Sequence, residues 1–385
     1  MMQHVVGVDP QRTRTAVVLR EGDGGSGGAL PMVGDGFRRL VPNAVLPPDR
    51  WATPAAEALL DAAGGAPAAD LARLARSWCC DPLSADFLAG LRERLFGYLG
   101  RLAPAARNGY RVAAVAAPGT ETLLRQRFTD AGLADVLTVD PADALLARWL
   151  VDPARPPAGG IVVAVACGEA WTRVATYAVD QAAPRTARRL AASASTVEGG
   201  VTDLAGAVTA AVLGRCRQGV RSAELLAMLD GALELAGRLR SLRADDEVEW
   251  AGPLTERMFE PLRLSRQSLA GTPGVAESLA EVAGRVRAAV TVGGTTRPAA
   301  LLVGGIGAVW PAVADGLTSL GPVWQSPEPE ADLAVGAAWW PSLRHGVQRP
   351  ETAEAAFAAL APATPRETVP AVAPQDSADI PPWLR

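Results

Sequence analysis

Lysine is missing from this chain. Its 385 residues include 37 Lys-plus-Arg positions, and every one of them is Arg. That absence removes Schiff-base chemistry, the lysine of Walker-type phosphate loops and any lysine general base. Histidine is nearly as scarce, with only His4 and His345, so a histidine triad or a histidine-based metal centre has little to build on. The four cysteines, Cys79, Cys80, Cys167 and Cys216, show no CxxC spacing, which argues against structural zinc. Adjacent Cys79 and Cys80 read either as a strained vicinal disulfide or, more blandly, as two small apolar residues in a buried helix or turn. Long apolar runs are lacking as well. The longest uncharged stretch, between Arg297 and Asp315, is broken by Gly304, Gly305, Gly307 and Pro311, so it is too short and too punctuated to span a bilayer. The opening MMQHVVGVDP lacks the regions of a secretory signal. The expectation is a cytoplasmic protein that does not engage membrane. A net charge of −4 leaves no basic footprint for nucleic acid.

What is present suits a folded chain. Hydrophobic residues make up 49% and charged residues 20%, enough apolar surface for a large core. At about 150 residues per domain, the length predicts two or three domains or one two-lobed unit. Residues 5–8 and 15–19 are β-branched and apolar around a polar turn, and read as a hairpin. Helix spacing of Leu and Phe predicts helices at 71–77 and 86–102. A strand at 111–117, helix 120–132, strand 135–139 and helix 142–150 follow, and this alternation indicates an α/β layer. The Pro- and Gly-rich segment 151–160 reads as a hinge. Beyond it the opening pattern recurs, with strands 161–166 and 172–178 around Cys167-Gly168-Glu169. Helices are expected at 201–216, 222–242, 255–268 and 274–289, then strand 299–303 into Gly304-Gly305, helix 309–319 and a closing helix at 331–343. From residue 346 to 385 the Pro- and Ala-rich composition predicts a disordered tail. The more apolar end of that tail, Ile380, Pro381, Pro382, Trp383, Leu384 and Arg385, reads as a docking motif for an unidentified protein partner or as a sticky terminus. The segment 46–85, with Trp51 and Trp78, carries no pattern that assigns it a role.

Two tight strand–turn–strand units and a late Gly-Gly turn share one physical use. A tight turn points backbone N–H groups outward, and small residues let phosphate oxygens approach. Here the sequence resembles the actin-like ATPase superfamily of heat-shock 70-kDa chaperones, actins and sugar kinases, and most of all the chaperone nucleotide-binding domain. Gly7-Val8-Asp9 with Gln11, Arg12 and Thr13 resembles the first phosphate loop, and Val41-Pro42-Asn43-Ala44-Val45 the strand soon after it. Val115–Leu150 is similar to the block with the connecting helix, and Ile161–Gly168 to the second phosphate loop. Gly199 and Gly200 match a further glycine pair near phosphate. Leu301–Gly305 with Pro311 is similar to the adenosine motif, and Glu330 with Gly336-Ala337-Ala338 to the closing helix.

The resemblance implies a two-lobed α/β fold with duplicated mixed sheets flanked by helices. Its first lobe would be residues 1–156 and its second 157–345, with helix 331–343 returning to the first. It implies ATP or ADP with Mg²⁺ as ligands, held at Gln11, Arg12, Thr13, Cys167, Gly168, Gly199, Gly200, Gly304, Gly305 and Glu330. Glu234, Arg238 and Ser241 stand at the spacing by which these chaperones hold adenosine, although Glu234 and Arg238 at i,i+4 also suit an ordinary surface ion pair. Asp9 and Asp140 would be the catalytic carboxylates, with Asp9 reaching the metal through water.

The departures bear on hydrolysis. Gln11-Arg12-Thr13 replaces Gly-Thr-Thr, Ala164 stands where the second-loop Asp is expected, Ala166-Cys167-Gly168-Glu169 replaces Gly-Gly-Gly-Thr, the acidic residue before proline is shortened to Asp140, Ala308 replaces the adenosine-motif Arg, and the catalytic lysine has no candidate. The tail is too short and polar for a peptide-binding β domain. The expectation is therefore a nucleotide-binding scaffold or switch with weak or no hydrolysis. An active ATPase or small-molecule kinase and a structural protein that binds no nucleotide are the alternatives.

Overall fold

The computed structural model describes residues 4–11, 14–20, 30–31, 40–42, 88–89, 91–92, 110–117, 119–133, 135–155, 159–169, 171–180, 185–190, 195–198, 202–216, 222–272 and 275–348. Arg12, Thr13, Asn43–Val45, the segment 46–85, Cys79, Cys80, Gly199, Gly200 and the tail from 349 lie outside them. Of the helices expected at 71–77 and 86–102, only Leu88, Ala89, Leu91 and Arg92 fall inside, and they are helical.

The described chain is mixed α/β. In order it runs β1 (His4–Pro10), β2 (Arg14–Arg20), β3 (Leu30–Pro31), β4 (Leu40–Pro42), β5 (Tyr110–Val115), α1 (Glu121–Asp130), β6 (Val136–Val139), α2 (Pro141–Leu150), β7 (Gly160–Cys167) and β8 (Trp171–Val179). Then come β9 (Ala187–Arg189), β10 (Ser195–Glu198), α3 (Thr202–Leu213), α4 (Ser222–Arg240), β11 (Val248–Glu249), β12 (Arg263–Leu264), α5 (Arg266–Ala270) and α6 (Val275–Val292). Last are β13 (Ala300–Gly304), α7 (Pro311–Leu317), β14 (Val323–Trp324), α8 (Asp332–Leu343) and β15 (Val347–Gln348).

Two sheets carry the architecture. The first has the order β3-β2-β1-β5-β6, with β4 also on β2. The second has the order β14-β13-β7-β8-β9-β15, with β10 on β8. In the first sheet β2 is antiparallel to β1 and to β3, while β5 is parallel to β1 and β6 to β5. In the second, β8 is antiparallel to β7 and to β9, while β13 is parallel to β7 and β14 to β13. Five strands therefore follow one order and one set of directions twice over.

The central strands read as continuous apolar runs because both of their faces are buried. On β7, Val163, Val165 and Cys167 join the core beneath α3, α4 and α6, while Val162, Ala164 and Ala166 join the core with α2 and α8. On β1, Val6 and Val8 pack toward Phe128 and Leu124 of α1, while Val5 faces the α2–α8 side. Helix α8 lies flat on the opposite face of β1 from α1. A methyl group on Gly7 would stand 1.9 Å from the Ala334 carbonyl oxygen, so only glycine allows the approach.

One expected element is corrected. A helix at 255–268 is replaced by a 3-10 turn at Thr255–Arg257, the strand β12 and the short α5. Pro261 lacks the N–H that a helix needs and drives Glu260 out of the helical region, and β12 pairs with β11 instead. The helix expected at 309–319 is likewise divided among a 3-10 turn at Ile306–Val309, α7 and a 3-10 turn at Thr318–Leu320. No helix of the described residues is long and apolar enough to cross a membrane.

Candidate functional site

Asp9 sits at the end of β1, two residues beyond Gly7 and so on the same face of the strand. It is 1% exposed, and burial pushes its carboxyl up to about 7 against the pull of a hydrogen bond from Gln11. Gln11 Nε2 donates to Asp9 Oδ1 at 2.7 Å, while Asp9 Oδ2 is buried with no hydrogen-bond partner among the described residues. The other end of the same amide reaches the second sheet, where Gln11 Oε1 accepts the Glu169 backbone N–H at 3.0 Å. The β1–β2 turn and the β7–β8 turn thus face one another, joined through Gln11. Its polarity marked it as a turn residue, but nothing local marked it as the bridge.

The β7–β8 turn closes with Gly168 N–H donating to the Trp171 carbonyl at 2.8 Å. The Trp171 ring fills the side of Gly168, where a Cβ would meet it at 2.5 Å. Cys167 contributes its backbone here, since its thiol is buried in the core and burial pushes it up to about 12. The Gly-Gly turn after β13 lies directly against this turn. Gly305 has φ +97°, open to glycine and costly for other residues, and a Cβ on it would stand 2.4 Å from the Cys167 carbonyl oxygen. Gly307 abuts the Gly168 carbonyl in the same way. The room that small residues leave at Gly304, Gly305 and Gly307 is occupied on the Cβ side by protein.

A carboxylate that the sequence did not single out stands beside them. Asp332, the first residue of α8, is 1% exposed. Its Oδ1 accepts from Ser326 Oγ at 2.7 Å and pairs with Arg148 Nε at 3.2 Å. Its Oδ2 has no hydrogen-bond partner among the described residues and points toward Gly304. Burial pushes this carboxyl up to about 7, while Ser326 and Arg148 pull it down and neighbouring Glu330 adds to the rise. Glu330, half-buried in the turn Pro329–Ala331, is two residues from Asp332. An acid opening a helix just past that turn was the available signal.

Asp140 serves a different arrangement. Its Oδ1 caps α2 by accepting the Ala142 N–H at 2.9 Å, as an Asp-Pro helix start favours. Its Oδ2 is held by Arg173 Nη2 and Arg189 Nη2, each at 3.1 Å. Burial works against its charge, yet Arg189 and Arg173 overcome it and hold the carboxyl below its ordinary value. Asp143 extends the cluster, accepting from Tyr177 Oη at 2.6 Å and pairing with Arg189. Both Asp140 oxygens therefore accept from protein donors.

Glu234, Arg238 and Ser241 are all exposed, on α4 and just past its end. Glu234 forms no ion pair with Arg238; Arg238 Nη2 instead donates to the Glu249 carbonyl at 3.1 Å, and Ser241 Oγ to the Arg238 carbonyl at 2.9 Å. The end of this helix is tied to the segment before α8, because Arg240 donates to the carbonyls of Ser326 and Pro327.

The Glu169 N–H, bonded to the Gln11 amide oxygen at 3.0 Å, would be the donor for a phosphate oxygen. Asp9 Oδ2, buried with no hydrogen-bond partner among the described residues, would be the acceptor for a metal-bound water. No group of three or more His, Cys, Asp or Glu among the described residues could hold a metal by itself, so Mg²⁺ would depend on phosphate and water ligands. A cavity of about 510 Å³ lies elsewhere, between β8, β9 and β15 and bordered by Asp180, Arg188 and His345. No family model matches the chain, and no curated protein matches it in sequence.

Proposed function

We propose that the chain is a weakened actin-like ATPase that binds ATP or ADP between two lobes, hydrolyses it slowly or not at all, and acts as a scaffold or switch. The observation that carries the reading is the doubled sheet, whose two first hairpin turns oppose each other across the Gln11–Glu169 hydrogen bond. The Glu169 backbone N–H, held by a side chain and not by the main chain, would take a phosphate oxygen, with Cys167, Gly168, Gly304 and Gly305 lining the approach and Arg12, Thr13, Gly199 and Gly200 as further contacts. Glu234 and Arg238 would hold ribose and adenine from α4, and Glu330 would lie at the entrance to α8. Bound Mg²⁺ would supply charge neutralisation at the phosphates, and Asp9 would hold one of its waters. Closure on nucleotide would bias a partner surface, with residues 380–385 offering a contact for a protein partner.

Three features disfavour turnover. The chain has no lysine. Ala164 is buried where the second carboxylate would stand. Asp140 is spent on two arginines and a helix N-terminus. The reading of a purely structural protein has its own support, since Trp171 and the Cys167 and Gly168 carbonyls account for the glycines by close packing.

Calorimetric titration with ATP and ADP, with and without Mg²⁺, alongside phosphate release from the same sample, tests the proposal. Binding without release is the expected result. Steady release would instead favour an active ATPase, and the absence of binding at millimolar nucleotide would leave the structural reading.

A further inference from the structure

We infer that Gln11 is a built-in competitor for the phosphate-binding turn, so that a polyphosphate enters only by displacing its amide. The inference rests on the nucleotide-binding reading above and adds a device to it. Gln11 is 5% exposed, whereas a glutamine in a hairpin turn ordinarily reaches into solvent. The amide is oriented by its donor end, where Nε2 gives a 2.7 Å bond to Asp9 Oδ1. That contact turns the oxygen toward the second sheet, where it accepts the Glu169 N–H at 3.0 Å.

A backbone N–H in a tight turn is the group that a phosphate oxygen would use, and here an amide oxygen of this chain already occupies it. An N–H has one proton to give, so the two acceptors exclude one another. The bond also spans 158 residues of sequence and ties the two opposing turns together, so a ligand wedged between them must break it first. The price of displacement is one neutral hydrogen bond, which corresponds to roughly 2- to 12-fold in affinity. A glutamine that only fastened the two sheets would behave differently, because its loss would weaken the fold without improving any ligand.

The experiment titrates the full chain with ATP, tripolyphosphate and adenosine, as wild type, Gln11→Ala and Gln11→Glu. Gln11→Ala is expected to bind ATP and tripolyphosphate roughly 2- to 12-fold more tightly, with adenosine affinity unchanged. Gln11→Glu retains the length and an acceptor for the Glu169 N–H, exchanges the donor to Asp9 for a second acidic group and repels phosphate as an anion, so it is expected to bind both polyphosphates more weakly than wild type and adenosine equally. Unchanged or weaker polyphosphate binding in Gln11→Ala overturns the inference, as does an equal gain for adenosine. Should circular dichroism show Gln11→Ala unfolded, Gln11→Glu decides alone, and unchanged or tighter ATP binding there refutes it. Wild-type binding that neither variant moves removes the role of Gln11 and leaves the nucleotide reading standing. Folded proteins that bind none of the three probes remove both.

Discussion

Helix α8 is wedged between β1 and α2 by two glycines, and this makes a sharp prediction about one methyl group. A Cβ on Gly336 would lie 1.7 Å from the Ala144 carbonyl oxygen and 2.5 Å from its carbonyl carbon. Both obstacles are main-chain atoms of α2, so no rotamer change relieves them. Restoring ordinary contact requires the helices to part by about 1.5–2 Å, in a region packed with Leu333, Ala337, Leu145 and Trp149. Overpacking that forces side-chain and backbone shifts costs about 1–3 kcal/mol, occasionally more. Because both obstacles are main-chain atoms, Gly336→Ala is expected at the top of that range, about 3 kcal/mol. At about 2–4 °C per kcal/mol this lowers Tm by roughly 6–12 °C. Gly237→Ala supplies the opposite sign from the same chemical change. Gly237 is an exposed position inside α4 with nothing within 4 Å of its missing Cβ, so the substitution gains about 0.5–1 kcal/mol of helix stability. Thermal unfolding followed by tryptophan fluorescence reads both. If Gly336→Ala melts within about 1 °C of wild type, or the two variants shift in the same direction, the close approach of α8 to α2 is refuted.

Three further outcomes follow from buried charge and helix ends. Asp9 has a folded value of about 7 against an unfolded value of about 4, so between those pH values the native carboxyl keeps a proton that the unfolded chain has released. Stability from this group is full below pH 4 and falls as pH rises to 7; Asp9→Asn should flatten that limb in urea titrations and raise stability at pH 8 by up to about 4 kcal/mol. Asp140→Ala strips a cap from α2 and removes the carboxylate that Arg173 and Arg189 share, leaving Arg189 with Asp143, which should cost about 2–4 kcal/mol in urea unfolding; a loss below about 1 kcal/mol would contradict the network. Arg266 donates to the carbonyls of Leu239, Arg240 and Leu242 at the end of α4 and pairs with Asp315. Arg266→Ala should cost about 2–3 kcal/mol, and Arg266→Lys should not restore it, because an ammonium lacks the planar fork that reaches several carbonyls at once.

Much of the architecture was legible from short-range pattern. The apolar runs VVGV, TAVVL and IVVAVA announced β1, β2 and β7, since a strand buried on both faces needs no polar alternation. Asp140-Pro141 marked the start of α2 because a capping carboxylate and a fixed φ act within a few residues. The small strands β9, β10, β14 and β15 were not legible, since two to four residues carry too little pattern to separate strand from loop. The helix expected at 255–268 is interrupted around Pro261, which a helix interior does not accommodate. At the candidate site, Asp9 and the Gly304-Gly305 turn were singled out from sequence and are buried near the opposed turns. Glu234 and Arg238 were paired by spacing alone, and the structure gives Arg238 to the Glu249 carbonyl instead.

The sequence by itself determined the chemistry that is excluded and the local elements, because composition and short-range periodicity act along the chain: no lysine mechanism and a repeated strand–turn–strand opening. Only tertiary structure decided how distant residues share their hydrogen-bonding capacity. Gln11 meets Glu169, Asp140 is claimed by Arg173 and Arg189, and Asp332 is brought beside Gly304. Each pairing spans an interval with no periodicity to fix it, and it is set by the register and packing of whole sheets, which decide which partners burial leaves within reach.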